Sequence, residues 1–188
     1  IIDNTNLLLE GNIYGLIDPI DVKKNINSII KLEPKILIIK INSPGGTVSA
    51  SAEIEKLILD FKKNSQIKVY FFTNQILTSG AYWVATTGDK IFATYGSIVG
   101  SIGVSGPSWY YYNKPLSISS GLFGNTINTE NGIEVFNQNS GESKDLFNPF
   151  RKPTSKELNH LQKMIDEIYD DFLNTISKNR KIEKDNLK

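Results

Sequence analysis

Cysteine is absent from this chain, and histidine and methionine occur once each. Without cysteine there is no disulfide, no thiol nucleophile and no Cys-ligated metal. The single histidine, His160, cannot form an HExxH pair, and any Ser-His-Asp triad would have to recruit it. It lies in "SKELNHLQKMIDEIYDDF", a strongly helical stretch, where a histidine on a helix surface is the simpler reading. Charge of one sign is also missing. The 21 Lys and Arg nearly balance the 20 Asp and Glu, leaving a net charge of +1. That balance makes no electrostatic case for nucleic acid or for an anionic membrane surface. There is no apolar run of about eighteen residues and no signal-peptide pattern at the start. The phosphate loop GxxxxGK[ST] is absent, and "GSIVGSIG" does not stand in a dinucleotide-binding context, so nucleotide binding is discounted.

What is present is ordinary globular material: 188 residues, 39% apolar and 22% charged, with a mean hydropathy of −0.23. That length suits one domain with a substantial core. The first residue is Ile1 rather than Met, which fits a processed or excised domain whose anchor would lie outside this stretch.

Periodicity predicts the elements. "NLLLEGNIYG" reads as a strand ending in turn residues, and "DPIDVKKNINSIIKL" as a helix capped by Asp18 with Pro19 in its first turn. "KILIIKIN" and "IKVYFFT" are short β-branched or aromatic runs, as expected of buried strands. Between them, "AEIEKLILDFKKN" sets Ile54, Leu57, Ile58 and Phe61 on one helical face. "SGAYWVATTG" suits a short helix ending at Gly88, and "KIFATYGSIVGSIGVSG" alternates short β-like pieces with glycines. Strand and helix alternation of this kind argues for an α/β domain with a mainly parallel sheet. Residues 105–148 are the least regular, and loops or a β-hairpin are expected there. Near the end, Thr154 and Glu157 form a capping box ahead of a long amphipathic helix bearing Leu158, Leu161, Ile165, Ile168, Phe172 and Ile176.

Three glycine-bearing corners follow strands: "NSPGG" (42–46), "TSGAYW" (78–83) and "VGSIGV" (99–104). Sites in α/β sheets gather at the carboxyl ends of strands. Glycines let backbone N–H groups approach a ligand, and Gly45-Gly46 can present N–H groups toward an anionic oxygen. Ser79, in "ILTSGAYWVA", is either the cap of the following helix or a nucleophile, and one residue can be both. If it is a nucleophile, lysine and carboxylates remain as bases. A lysine base must be neutral, so its reference pKa of about 10.4 has to fall to roughly 7–8. Lys144, in "SGESKDLFNPFRKPT", has the most suggestive setting, although a solvated lysine is the default for any one of them.

Taken together, "INSPGGTVSASAEI", "LTSGAYWVA", "GSIVGSIGV" and "SGESKDLFNPFRKPTSKE" resemble the signal peptide peptidase A family of Ser-Lys peptidases, in the family's order and over about residues 7–182. The resemblance implies the Clp protease/crotonase-like fold: repeated ββα units, a mainly parallel sheet and a long C-terminal helix, forming one peptidase domain over 1–188. It implies Ser79 as nucleophile, Lys144 as general base, Ser101 as the hydroxyl that orients the lysine amine, and Gly46 and Gly80 as the oxyanion hole. No metal or organic cofactor is implied. The implied substrates are small or apolar peptides, such as remnant signal peptides. The implied setting is a membrane-associated, extracytoplasmic, prokaryotic homo-oligomer, a ring or dome, anchored through a segment not in this chain. Ala81 departs from the more usual second glycine after the serine, and the family usually continues beyond the long helix.

Two rival readings share the fold: a crotonase-like acyl-thioester enzyme that would tolerate loss of Ser79, and a catalytically silent scaffold of a membrane complex. "WYYY" (109–112) is more often core or interface than a binding motif. "SQIK" (65–68) matches SxxK formally but leads into a strand, and is taken as chance.

Overall fold

The computed structural model of the chain describes residues 6–11, 19–30, 34–112, 119–121, 124–126, 140 and 143–187. They fall into two compact units, one formed by 1–104 with 167–188 and the other by 105–166.

The first unit is built on a four-stranded sheet in the order β1 (Asn6–Gly11), β2 (Ile36–Ile41), β3 (Lys68–Thr73) and β5 (Lys90–Ala93), every pair parallel. Helices α1 (Pro19–Ile30) and α2 (Val48–Ser65) intervene in the chain, which is what parallel neighbours require. Pro19 opens α1 as the sequence predicts; Asp18 lies outside the described residues. Helix α2 starts earlier than its apolar stripe suggests, because Thr47 caps it by accepting the Ala50 N–H at 3.2 Å. Ile54, Ile58 and Phe61 on its inner face are buried with Ile26, Ile29, Leu37, Val69 and Phe71. Burying each such side chain stabilises by about 1.5–3 kcal/mol.

Strand β3 alternates, with Val69, Phe71 and Thr73 buried while Tyr70 and Phe72 are only half-buried. A run expected to be covered on both faces is therefore fully covered on one.

A second parallel pair, β4 (Ile76–Thr78) with β6 (Ile98–Gly100), sits where β2 gives out, joined to it by a bridge between Ser43 and Leu77. Asn42 fixes this junction. Its buried Oδ1 accepts from Thr73 Oγ1 (2.9 Å), Gln75 N (3.1 Å) and Asn74 N (3.2 Å), so the β3–β4 turn is tied to the end of β2. Helix α3 (Gly80–Ala85) follows directly, earlier to end than the Gly88 expected, since Thr86 caps it. Trp83 of α3 stacks on Phe172 with ring centroids 4.8 Å apart, and with Ile176 they form a second small core. Phe172 and Ile176 belong to α4 (Ser155–Arg180), which runs from the second unit into the first.

In the second unit, β7 (Ser119–Gly121) and β8 (Gly124–Thr126) pair antiparallel, the hairpin expected in that region. The capping box forms as read: Thr154 N–H donates to Glu157 Oε2 at 2.9 Å and Glu157 N–H to Thr154 Oγ1 at 3.2 Å. Of the "WYYY" aromatics, Trp109 lies against Phe147 and Tyr112 against Phe150, while Tyr110 and Tyr111 are exposed. His160 is exposed on α4.

Candidate active site

The three glycine corners, far apart in sequence, meet through backbone hydrogen bonds in the first unit. Thr78 N–H donates to Ser43 O (3.2 Å) and Thr78 Oγ1–H to Pro44 O (3.1 Å), joining the second corner to the first. Ser79 N–H donates to Gly100 O (2.9 Å), joining it to the third. The register behind this is the β4–β6 pairing, with Thr78 opposite Gly100.

Ser79 occupies the position before α3, and its carbonyl accepts the Trp83 N–H at 2.9 Å. Its side chain nonetheless makes no capping bond. Capping, the plainer of the two roles open to it, is therefore not what its hydroxyl does. Its backbone is at φ 51°, ψ −126°, a conformation that L-residues with a Cβ adopt at a cost of about 1–3 kcal/mol. In α/β folds a strained serine between a strand and a helix is one arrangement that exposes a nucleophile.

The first corner packs backbone against backbone on this turn. Gly45 has φ +119°, and a Cβ there would stand 2.9 Å from Gly80 N, 2.9 Å from Ser79 Cβ and 3.1 Å from Thr78 O. Ser43 braces the corner, its Oγ accepting the Gly45 N–H at 3.1 Å. A Cβ on Gly80 would lie 2.3 Å from Ser51 Oγ and 3.2 Å from Gly46 N. No acceptor among the described residues takes the N–H of Gly46 or of Gly80. Two unspent donors beside a strained serine are what stabilisation of a developing oxyanion calls for.

Ser101 follows the Gly100 carbonyl that holds Ser79 N–H; it has φ 51° and is exposed. Ser79, Gly46, Gly80 and Ser101 thus belong to one unit. Lys144 belongs to the other, exposed in the turn of residues 143–147.

That turn is held by a polar cluster the sequence reading left out. Arg151 donates from Nε to Asp145 Oδ2 (2.6 Å) and from Nη2 to Asp145 Oδ1 (2.7 Å). It also donates from Nη1 to Glu157 Oε2 (2.9 Å) and from Nη2 to Glu157 Oε1 (2.7 Å). The guanidinium holds both carboxyls below their usual range, helped at Glu157 by the Thr154 N–H and at Asp145 by Asn148. The two carboxylates in turn push Arg151 above the ordinary arginine value. "Asp, then Arg six on, then Glu six on" was visible in "KDLFNPFRKPTSKE", but nothing in spacing alone brings such residues together. The Asn42 junction and Ser51 were missed for the same reason.

Among solved structures, a ClpP1 mutant of Listeria monocytogenes aligns with a TM-score of 0.50 over 99% of this chain and 78% of that one, at 14% identity. The fold is that of the Clp protease class, mixed α/β with parallel sheets and a C-terminal helix. A family model, peptidase family S49, matches residues 61–188. The chain belongs to that family. A Methanocaldococcus jannaschii protein named as a candidate protease is 34% identical over 85% of this chain and 48% of its own length. An Enterococcus faecium protein named as a candidate signal peptide peptidase, SppA, is 32% identical over 82% of this chain and 41% of its own. Protease 4 of Haemophilus influenzae is 30% identical over 80% and 22% respectively. The chain thus spans about half the length, or less, of the relatives it matches. Among the described residues no helix is long and apolar enough to cross a membrane.

Proposed function

We propose that this chain carries the catalytic apparatus of a serine endopeptidase with a Ser79–Lys144 dyad, its two units working as one peptidase domain. The observation that carries the reading is Ser79 itself: a serine held at φ 51° with its hydroxyl spent on no cap, next to two unaccepted N–H groups. Neutral Lys144 Nζ takes the Ser79 Oγ proton as Oγ attacks the scissile carbonyl carbon. The resulting oxyanion accepts from the N–H groups of Gly46 and Gly80. Collapse breaks the C–N bond, and Lys144 returns the proton to the leaving amine. Water, deprotonated by the same amine, then hydrolyses the acyl-enzyme and regenerates Ser79. Ser101 donates or accepts a hydrogen bond that aims the lysine. We assign the substrates to small-residue or apolar peptides, remnant signal peptides among them. The proposed setting is a membrane-associated homo-oligomer with its catalytic face outside the cytoplasm.

The test is hydrolysis of a fluorogenic peptide with small apolar residues by the native chain, Ser79→Ala and Lys144→Ala, with light scattering to match folding and assembly. Both variants should lose roughly 10⁴-fold or more in kcat, and native activity should rise with pH. Full activity of Ser79→Ala would refute the nucleophile and favour acyl-thioester chemistry. Full activity of Lys144→Ala would refute the base. A folded native chain that neither turns over peptide nor reacts with a fluorophosphonate would favour the silent scaffold.

A further inference from the structure

Lys144 is followed in the chain by a residue that the Arg151 cluster restrains. Before it, Ser143 has φ 55°. After it, Asp145 has both carboxylate oxygens in the Arg151 fork. Glu157 is itself fixed, being 5% exposed, the partner of Thr154 in the capping box and gripped by the same guanidinium. Arg151 is braced from a further side by the Trp109 ring, 5.3 Å from its central carbon. The indole is held in turn by its N–H donating to Asn148 O at 3.2 Å.

Two physical requirements of a lysine base meet in this arrangement. Its backbone must be fixed so that a flexible four-carbon stem delivers the amine to one place. It must also be spared unneutralised carboxylates, because a nearby negative charge favours the protonated ammonium and so removes the base. Asp145 is the next residue in the chain, a poor neighbour for such a lysine unless its charge is already matched. The charged residues that follow the turn in sequence, up to the first turn of α4, are Arg151, Lys152, Lys156 and Glu157. Lys152 lies over the Tyr111 ring at 5.6 Å, and Lys156 is exposed on the first turn of α4. Glu142 precedes the turn and lies outside the described residues.

We propose that Arg151 is the positioning residue for the Lys144 base: forked between Asp145 and Glu157, it pins the chain directly after Lys144 and offsets one of the two carboxylate charges that favour the protonated amine. Arg151 touches neither substrate nor reacting atoms; it acts through the turn. This inference rests on the reading of Lys144 as general base.

The experiment measures kcat and KM against pH for Arg151→Gln, Arg151→Lys and the double variant Arg151→Gln/Asp145→Asn, with thermal melts on each. Arg151→Gln should move the rising limb of the kcat/KM profile upward by about one pH unit, a loss of roughly tenfold at a fixed pH on that limb. The loss should fall in kcat rather than KM. The double variant, with one bare carboxylate fewer, should bring the limb back toward the native position. Arg151→Lys, which keeps the charge but not the fork, should leave the limb in place and lower kcat. Should Arg151→Gln and the double variant share the native limb, with losses that follow their melting temperatures, the cluster is a brace of the fold only and the inference is overturned. Should Arg151→Gln fail to fold, Asp145→Asn carries the test: a limb moved downward by the loss of one negative charge next to Lys144 supports the inference, and a native profile overturns it. Lys144→Ala run alongside separates the two levels. If it retains activity, the dyad reading itself falls; if it is inert while Arg151→Gln behaves as native, only the inference does.

Discussion

Replacing Gly80 by alanine sets two effects of known sign against each other. Gly80 is the first residue of α3, and alanine is favoured over glycine in a helix by up to about 1 kcal/mol. The new Cβ, however, would stand 2.3 Å from Ser51 Oγ. The hydroxyl has to rotate away, forfeiting its 2.9 Å bond to Thr47 O in a site where Ser51 is 1% exposed. Stranding a buried hydroxyl costs about 1–3 kcal/mol, so the net expectation is a destabilisation of about 1–2 kcal/mol. Ser51 Cβ is not among the three nearest atoms, the third of which is already at 3.5 Å. Removing the hydroxyl with Ser51→Ala should therefore remove the conflict. Urea denaturation of Gly80→Ala, Ser51→Ala and the double variant measures this as a coupling energy. Gly80→Ala should be near neutral or stabilising in the Ser51→Ala background. Peptide turnover should behave differently. The 3.2 Å approach to Gly46 N persists, so activity in the double variant should stay roughly tenfold down. Equal destabilisation by Gly80→Ala in both backgrounds would refute the steric account.

Phe172→Ala should cost about 3–5 kcal/mol in denaturant unfolding, since the ring is 1% exposed and stacked on Trp83 of α3; a loss under about 1 kcal/mol would mean that this small core contributes little. The carboxyls of Asp145 and Glu157 are held low by Arg151, so their contribution is present above the ordinary carboxylate range, near pH 4, and is lost as pH falls through their depressed values. Thermal melts of the native chain should therefore fall steeply below about pH 4. Arg151→Gln should be less stable at neutral pH and show a shallower acid fall, while Asp89, held low by the Val69 N–H and by Lys62 against its burial, keeps its own contribution in both.

The α/β alternation, the stripe on α2, the capping box of α4 and the hairpin region were all legible, because each is a local pattern in which period or cap chemistry names the element. Boundaries were less so. Thr47 starts α2 ahead of its apolar stripe, and α3 stops short of Gly88, since caps rather than periodicity decide where helices end. Individual glycine corners read as turns; that Thr78 is bonded to Ser43 and Ser79 to Gly100 follows from the Ser43–Leu77 bridge and the register of β4 with β6, which no short window contains. Ser79 could be named but not decided, because a cap and a nucleophile share a sequence. The torsion at Ser79 and the empty cap speak against the capping role. Lys144 was reached by likeness to a family, and the Arg151 cluster that holds its turn depends on residues 6 apart in each direction meeting in space.

The torsion at Ser79 also has a consequence for durability. Alanine at this position keeps a Cβ and therefore keeps the unfavourable φ, so it removes the hydroxyl without releasing the tension. Glycine removes both. It gives up roughly 0.5–1 kcal/mol in unfolded-chain entropy but escapes a torsional cost of about 1–3 kcal/mol. The Ser79→Gly chain should melt higher than the native one, and a melt no higher would mean the turn is relaxed. On the proposed mechanism the native chain trades stability for its nucleophile, and random replacement of Ser79 by glycine gives a hardier molecule that only selection for turnover keeps out.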